Sequence, residues 1–373
     1  MTNDLYILFL FGILIIGGSY LLYLWNKKFE IAVFFFVLTP LISAIFFDNL
    51  PEDPLVVTEA TIGIGGILRA VTLFLLGGMG IIKYLSNTSK NKWRIPIHFL
   101  LLGVFILFAA FSAFYSLDLK FTLIRSGLLF AVFSFLLGLN EWLREEGNLT
   151  KALNALFVLI IVLIILNLLA MVVIPARVWW WKQNRLIGLW EQPNTFGSFC
   201  MLSYPVLIWK FYKTQNLKKY YIVIPLLLTL GLHILTGSRT TLLASSVGVF
   251  IWLLLERNWL KLFSVSIVVG FFLIILLNFS PSSFERNEGS QITDLSSRED
   301  IWSNAEIFIK EKPLFGYGFG VEGKIFQDEL RADLEGSFIE RNVRQSLHNG
   351  YLSILVGSGF FGLIFWLLIL LLP

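Results

Sequence analysis

The stretch Ala152-Leu-Asn-Ala-Leu-Phe-Val-Leu-Ile-Ile-Val-Leu-Ile-Ile-Leu-Asn-Leu-Leu-Ala-Met-Val-Val-Ile174 runs for 23 residues without a charged side chain. As a helix it is long enough to cross the hydrocarbon core of a bilayer, which takes about 20 residues. Apolar runs of the same kind recur at 5–24, 221–235 and 262–279. They bring the 373-residue chain to 57% hydrophobic and 14% charged, with a mean hydropathy of +0.77. Soluble globular domains lie nearer half apolar and a quarter charged. The sequence therefore reads as an all-α, polytopic bundle of transmembrane helices whose solvent is the lipid bilayer. Its formal charge of +4 is small and comes with no basic, aromatic-interleaved patch, which excludes a nucleic-acid-binding class.

Windows of about 19 residues place eleven spans near 5–25, 30–47, 62–84, 95–115, 121–140, 152–174, 195–212, 220–236, 240–256, 260–279 and 348–372. The first is read as a retained span, because it lacks a basic leader and a small-residue cleavage site. Lys27, Lys28, Lys83, Lys90, Lys92, Arg94, Arg144, Lys151, Lys210, Lys213, Lys218, Lys219, Arg257 and Lys261 fall at every second connection. The intervening connections and span ends hold half as many basic residues: Arg69, Lys120, Arg125, Arg177, Lys182, Arg185 and Arg239. The positive-inside rule then puts the N-terminus outside and the C-terminus inside. The inner set is mostly Lys and the outer mostly Arg, which fits recognition on the outer side or Arg side chains snorkelling from span ends.

The long hydrophilic stretch 281–347 carries thirteen acids against eight bases and faces outward in this topology. The chain accordingly divides into spans 1–10 over 1–280, an outer loop domain over 281–347, and span 11 over 348–373. Ser297-Arg-Glu-Asp300 has the form of a helix start with Ser297 as cap. Ile301, Ala305, Phe308 and Ile309 make a stripe at helical spacing, Pro313 ends it, and Gly316-Tyr-Gly-Phe-Gly320 is turn-rich. That helix is expected on the membrane surface or against the bundle.

Polar groups gather at the outer span ends. Arg239 lies in Leu235-Thr-Gly-Ser-Arg-Thr-Thr-Leu-Leu243, where Gly237 permits a tight turn, Ser238 and Thr240 offer hydroxyls, and the amides opening the next span favour an anion. This is chemistry for a phosphate, or else a turn whose Arg reaches lipid headgroups. Arg185 and Asn194 flank Gly188 and Glu191 ahead of another span, with Pro193 and Gly197 beside them. Upstream, Trp179-Trp-Trp181 with Arg177 and Lys182 reads as an interfacial aromatic belt, or as a sugar-stacking surface. His348 and Asn349, in Ser346-Leu-His-Asn-Gly-Tyr351, stand where the loop re-enters the membrane. The histidine is placed to take a proton and the amide to orient a hydroxyl. His98 and His233 read as packing residues. The single Cys200 excludes a disulfide framework, and the three histidines lack metal-ligand spacing, so neither metal nor cofactor is expected.

In this order, Thr-Gly-Ser-Arg239 opening a span, Arg298-x-x-x-Trp302, Pro313-x-x-Gly316-x-Gly318 and Leu-His-Asn349 opening the next span resemble the O-antigen ligase and polymerase superfamily, as do Arg185 and Gly188…Pro193-Asn194 upstream. The resemblance covers about 175–370. It implies an inverting, metal-independent glycosyltransferase on the outer side of a bacterial cytoplasmic membrane, acting on a polyprenyl-diphosphate-linked oligosaccharide donor and a glycan acceptor. A chain-length regulator or a flippase is the implied protein partner. By similarity, Arg239 and Arg185 are expected to hold the diphosphate, Arg298 to act near them, and His348 to serve as base or orient the acceptor. Polymerisation of lipid-linked repeat units is the first expectation. Ligase-type transfer of a finished glycan to a lipid, protein or wall acceptor is the alternative. A transporter, the rival of another class, should show polar residues at the membrane midplane and paired broken helices; a purely structural scaffold would not need Arg in place of Lys. Family members commonly continue with one or two further spans, so the sequence is expected to be either a shortened chain or a short member.

Overall fold

The structure, a computed structural model, describes residues 28–45, 64–88, 95–180, 184–190, 192–255, 257, 298–323, 325, 347 and 349–372. The expected spans near 5–25 and 260–279, the cap Ser297, His348 and most of the outer loop fall outside these residues. The helices, in chain order, are α1 Phe29–Ile45, α2 Ile64–Thr88, α3 Ile97–Phe111, α4 Leu119–Leu143, α5 Asn148–Val173, α6 Pro193–Lys213, α7 Val223–Leu235, α8 Arg239–Leu255, α9 Arg298–Glu311 and α10 Gly350–Leu371. Between α5 and α6 a single turn, Pro175–Val178, leads into a two-residue antiparallel ladder of β1 Trp179–Trp180 and β2 Arg185–Leu186, a hairpin not anticipated from the sequence. Every expected span that falls on described residues is a helix. Six helices among those residues are long and apolar enough to cross a membrane, with α1 and α8 shorter apolar helices beside them. The protein is an all-α polytopic membrane protein.

Two compact units divide these elements. The first gathers most of α1 with α2, α3, α4, α9 and α10. Without a hydrophobic drive between helices in lipid, close packing of small residues holds such a bundle. Helices α2 and α4 meet in this way: a Cβ on Gly77 would lie 2.7 Å from the carbonyl oxygen of Ala131, and Gly80 and Gly138 bring the two backbones together. Helix α1 adds aromatic contacts, with Phe29 and Phe36 both stacked on Phe135. Asp118 caps α4 by accepting from the Phe121 amide at 2.8 Å.

Helix α10 is broken at Gly359, whose φ of 65° is open to glycine and strained for other residues. A break inside a span frees backbone groups that lipid does not satisfy. Here the segment after α9 satisfies them. The amides of Tyr317 and Gly318 donate to the carbonyls of Val356 and Gly357 at 3.1 and 2.8 Å, and the amides of Phe360 and Phe361 donate to the carbonyls of Pro313 and Leu314 at 2.8 and 3.3 Å. The Pro-x-x-Gly-x-Gly motif is thus the backbone complement of the broken helix. Ala305 and Phe308 of α9 pack with Tyr317, Val321, Ile325, Leu347 and Val356, and Ile309 lies partly buried beside them. The stripe read from the sequence therefore rests against the bundle. Glu306 and Lys310 form an exposed ion pair elsewhere on α9.

The second unit holds α5, the hairpin, α6, α7 and α8. Its hairpin folds back on the turn after α5, since the amides of Ile187 and Gly188 both donate to the carbonyl of Val178 at 2.8 and 3.0 Å. Asn167, buried in the C-terminal third of α5, accepts from the Leu189 amide at 3.0 Å and donates to the Leu163 carbonyl at 2.7 Å. An amide at this depth needs such partners.

Candidate functional site

Four expected site residues come together in the second unit. Pro193 starts α6 at a position where its missing N–H costs no helical bond. Asn194 follows, and its Oδ1 accepts from Nη2 of Arg185 at 2.9 Å. The same guanidinium donates through Nε to the carbonyl of Thr236 at 2.7 Å. Arg185, 4% exposed, therefore ties the hairpin, the start of α6 and the turn after α7 into one corner. Charge-assisted bonds from a planar fork hold both direction and distance.

The turn itself is Thr236-Gly-Ser-Arg239. Thr236 Oγ1 donates back to the His233 carbonyl at 2.7 Å and accepts from the Ser238 amide at 3.2 Å, while Gly237 adopts a φ of 59°. Ser238 is buried against Gly197 of α6, where a Cβ would stand 2.9 Å from that of Ser238. Arg239 opens α8 and is partly buried. The corner so formed joins the first turns of two helices, whose amides are unsatisfied within the helix and favour anions. It adds a buried guanidinium and a second Arg.

Arg177 lies in the single turn before the hairpin and is exposed. Trp179 and Trp180 lie in the hairpin, half-buried, with Trp179 Nε1 donating to Asn184 Oδ1 at 3.2 Å. Arg298 and Asn349 belong to the first unit. Arg298 is the first residue of α9, and Asn349 caps α10 by accepting from the amides of Tyr351 and Leu352 at 3.0 and 3.3 Å. Trp302 Nε1 donates to the Leu347 carbonyl at 3.0 Å, which anchors the chain one residue before His348. In the same unit Glu322 is largely buried, and its Oε2 has no hydrogen-bond partner among the described residues. Burial pushes its carboxyl above the ordinary glutamate range, against the opposing pull of the Arg125 guanidinium. No cluster of three His, Cys, Asp or Glu that would hold a metal occurs among the described residues.

Two further polar residues of the second unit are buried in hydrogen bonds. His233 is buried, as a packing residue is, and both its ring nitrogens are also hydrogen-bonded, to Tyr204 and Thr241. Asn167 is marked in the sequence only as an amide within a 26-residue apolar helix, which is itself a signal.

The geometry defines a polytopic membrane protein with a corner of hydrogen-bonded polar side chains at its span ends. Residues 224–367 match the O-antigen ligase family, a region that holds the Thr-Gly-Ser-Arg turn, α9 and α10. The chain is also 25% identical over 311 residues to the ComP-specific O-oligosaccharyltransferase of Acinetobacter baylyi, covering 79% of this chain and 55% of that relative. It thus spans about half the length of the curated relative it matches. No solved structure matches. These findings bear out the likeness to the O-antigen ligase superfamily carried by the motifs. Arg177, Arg185 and Asn194 lie upstream of the matched region.

Proposed function

We propose that the protein is a ligase-type glycan transferase of a bacterial cytoplasmic membrane, moving an oligosaccharide from a polyprenyl diphosphate to a hydroxyl acceptor on the outer side. The observation that carries this reading is the corner at which Arg185, Asn194 and Ser238 are hydrogen-bonded or packed together, with Arg239 next in the chain. Two guanidiniums and two helix starts suit a diphosphate, whose charge grows as it leaves. Arg239 contacts it from the start of α8. Arg185 contributes charge from a position its protein partners fix.

In the reaction, the acceptor oxygen forms a bond to the anomeric carbon as the bond from that carbon to the diphosphate oxygen breaks. By the likeness of the Leu-His-Asn motif, His348 takes the acceptor proton and Asn349, at the start of α10, orients the acceptor hydroxyl. Attack opposite the leaving group inverts the anomeric centre. Because the donor is already activated, the step needs neither nucleotide nor metal. The N-terminus lies outside and the C-terminus inside in this reading.

Polymerisation is the first expectation from the motifs. The family described as O-antigen ligase and a relative that is an oligosaccharyltransferase both support ligase-type transfer instead. The transporter reading gains nothing from the break in α10, whose freed backbone groups are taken up by 313–318.

The test is the glycan profile of a deletion strain carrying wild type, Arg239→Ala or Arg239→Lys. Long lipid-linked glycan that accumulates without reaching its acceptor in both variants is the expected result. Accumulation of single lipid-linked repeat units would return the polymerase. An unchanged profile at normal protein level would sink the transferase reading.

A further inference from the structure

Beneath the Thr-Gly-Ser-Arg turn, three side chains from three helices form a continuous hydrogen-bonded chain. Tyr204 OH of α6 lies 3.2 Å from His233 Nδ1 of α7, His233 Nε2 lies 2.8 Å from Thr241 Oγ1 of α8, and Thr241 Oγ1 donates to the Ser238 carbonyl at 3.1 Å. His233 is fully buried and Thr241 nearly so. A carbonyl only accepts, and a threonine hydroxyl has one hydrogen. With that hydrogen on the Ser238 carbonyl, His233 Nε2 must be the donor to Thr241. In the neutral ring Nδ1 is then bare and accepts from Tyr204. One assignment satisfies all the contacts, and it runs in one direction from Tyr204 to the backbone of the turn.

We infer that the Tyr204–His233–Thr241 chain is the positioning device of the Ser238-Arg239 anion site, with His233 held as the Nε2–H tautomer. This inference rests on the proposed diphosphate role of that turn and names the residues that set its geometry. The chain pins the Ser238 carbonyl from below, while Arg185 holds the Thr236 carbonyl from the side. The amides of Gly237 and Ser238 between these anchors are held inside the protein, on the Ile234 carbonyl and Thr236 Oγ1, so the turn delivers Arg239 to the start of α8 from a fixed backbone. A displacement near 1 Å at such a site costs on the order of a hundredfold, so fixing the turn matters as much as supplying its charge.

The experiment measures binding of undecaprenyl diphosphate to the full chain in lipid nanodiscs. Thr241→Val keeps the shape and removes the hydroxyl, Thr241→Ser keeps the hydroxyl, and His233→Leu removes both ring nitrogens. Weakening of Kd by about tenfold or more in Thr241→Val and His233→Leu, the equivalent of at least one hydrogen bond, is expected, with Thr241→Ser close to wild type. Wild-type affinity in Thr241→Val overturns the inference. Arg239→Ala separates the two levels: if it too binds normally, the turn is not the diphosphate site and the function proposed above fails, whereas loss in Arg239→Ala alone removes only the positioning role. Should the apolar variants not fold, Tyr204→Phe and the ¹⁵N spectrum of histidine-labelled protein decide. An Nε2–H ring for His233 whose Nδ1 signal moves in Tyr204→Phe is expected, and an Nδ1–H ring overturns the assignment.

Discussion

Arg185 Nε donates to the carbonyl of Thr236 at 2.7 Å across 51 residues of sequence, and its Nη2 holds Asn194 in the same plane. The arrangement makes a specific demand on the side chain. Lysine is a point charge that does not serve two acceptors set for a fork. Arg185→Lys is expected to leave a buried acceptor short of a donor and to cost about 1–3 kcal/mol of stability. Thermal unfolding in detergent checks this. A transition unchanged from wild type would mean that the tie is dispensable.

The break in α10 yields a second expectation. At Gly359 a Cβ would collide with the backbone of Leu314, and the φ of 65° with ψ of −167°, a region that only glycine enters readily, adds about 1–3 kcal/mol of strain for an alanine. Gly359→Ala is therefore expected to lower the yield of folded protein sharply. Gly350→Ala on the same helix meets nothing within 4 Å and should leave expression and melting near wild type. Equal behaviour of the two variants in fluorescence-detected size exclusion would show that the break is not required.

The contrast between these two glycines also shows what sequence does and does not disclose. A span is legible because its signal is local: about 20 apolar residues suffice, and the run at 152–174 announces α5 without reference to any other segment. The break at Gly359 sits in an equally apolar run and depends on hydrogen bonds to 313–318, so hydropathy does not register it. The site divides in the same way. Arg185, Asn194, Ser238 and Arg239 stand out as polar groups where lipid-facing sequence is plain, and they do share a corner. His233 lies among apolar neighbours in sequence, while its partners Tyr204 and Thr241 are on other helices. Nothing local marks it as a hydrogen-bonding residue.

Glu322 predicts a pH dependence. Its carboxyl is raised by burial, with Oε2 unpartnered among the described residues. Below the ordinary value of 4.5 the group is neutral in both folded and unfolded chains. As pH rises above that value the unfolded chain releases its proton first, so the unfolded state gains and stability falls until the folded carboxyl also ionises. Glu322→Gln removes this loss. The variant is expected to match wild type near pH 4 and to melt higher near pH 7. A melting temperature for the variant below wild type at pH 7 would mean that the charged carboxylate has a stabilising partner.

Asn349 offers a way to separate folding from chemistry beside His348. Its Oδ1 accepts from two amides at the start of α10, and the Trp302 indole fixes the preceding Leu347 carbonyl. Asn349→Ala removes the cap and is expected to cost about 1 kcal/mol, whereas Asn349→Asp retains an oxygen in the same place and adds a charge that the helix N-terminus favours. If the residue only caps the helix, Asn349→Asp keeps both stability and glycan transfer. If its amide also donates to the acceptor hydroxyl, as proposed, the variant stays folded and loses transfer, since a carboxylate has no hydrogen to give. Melting and transfer measured on the same preparations distinguish the two, and full transfer by Asn349→Asp would remove Asn349 from the acceptor site.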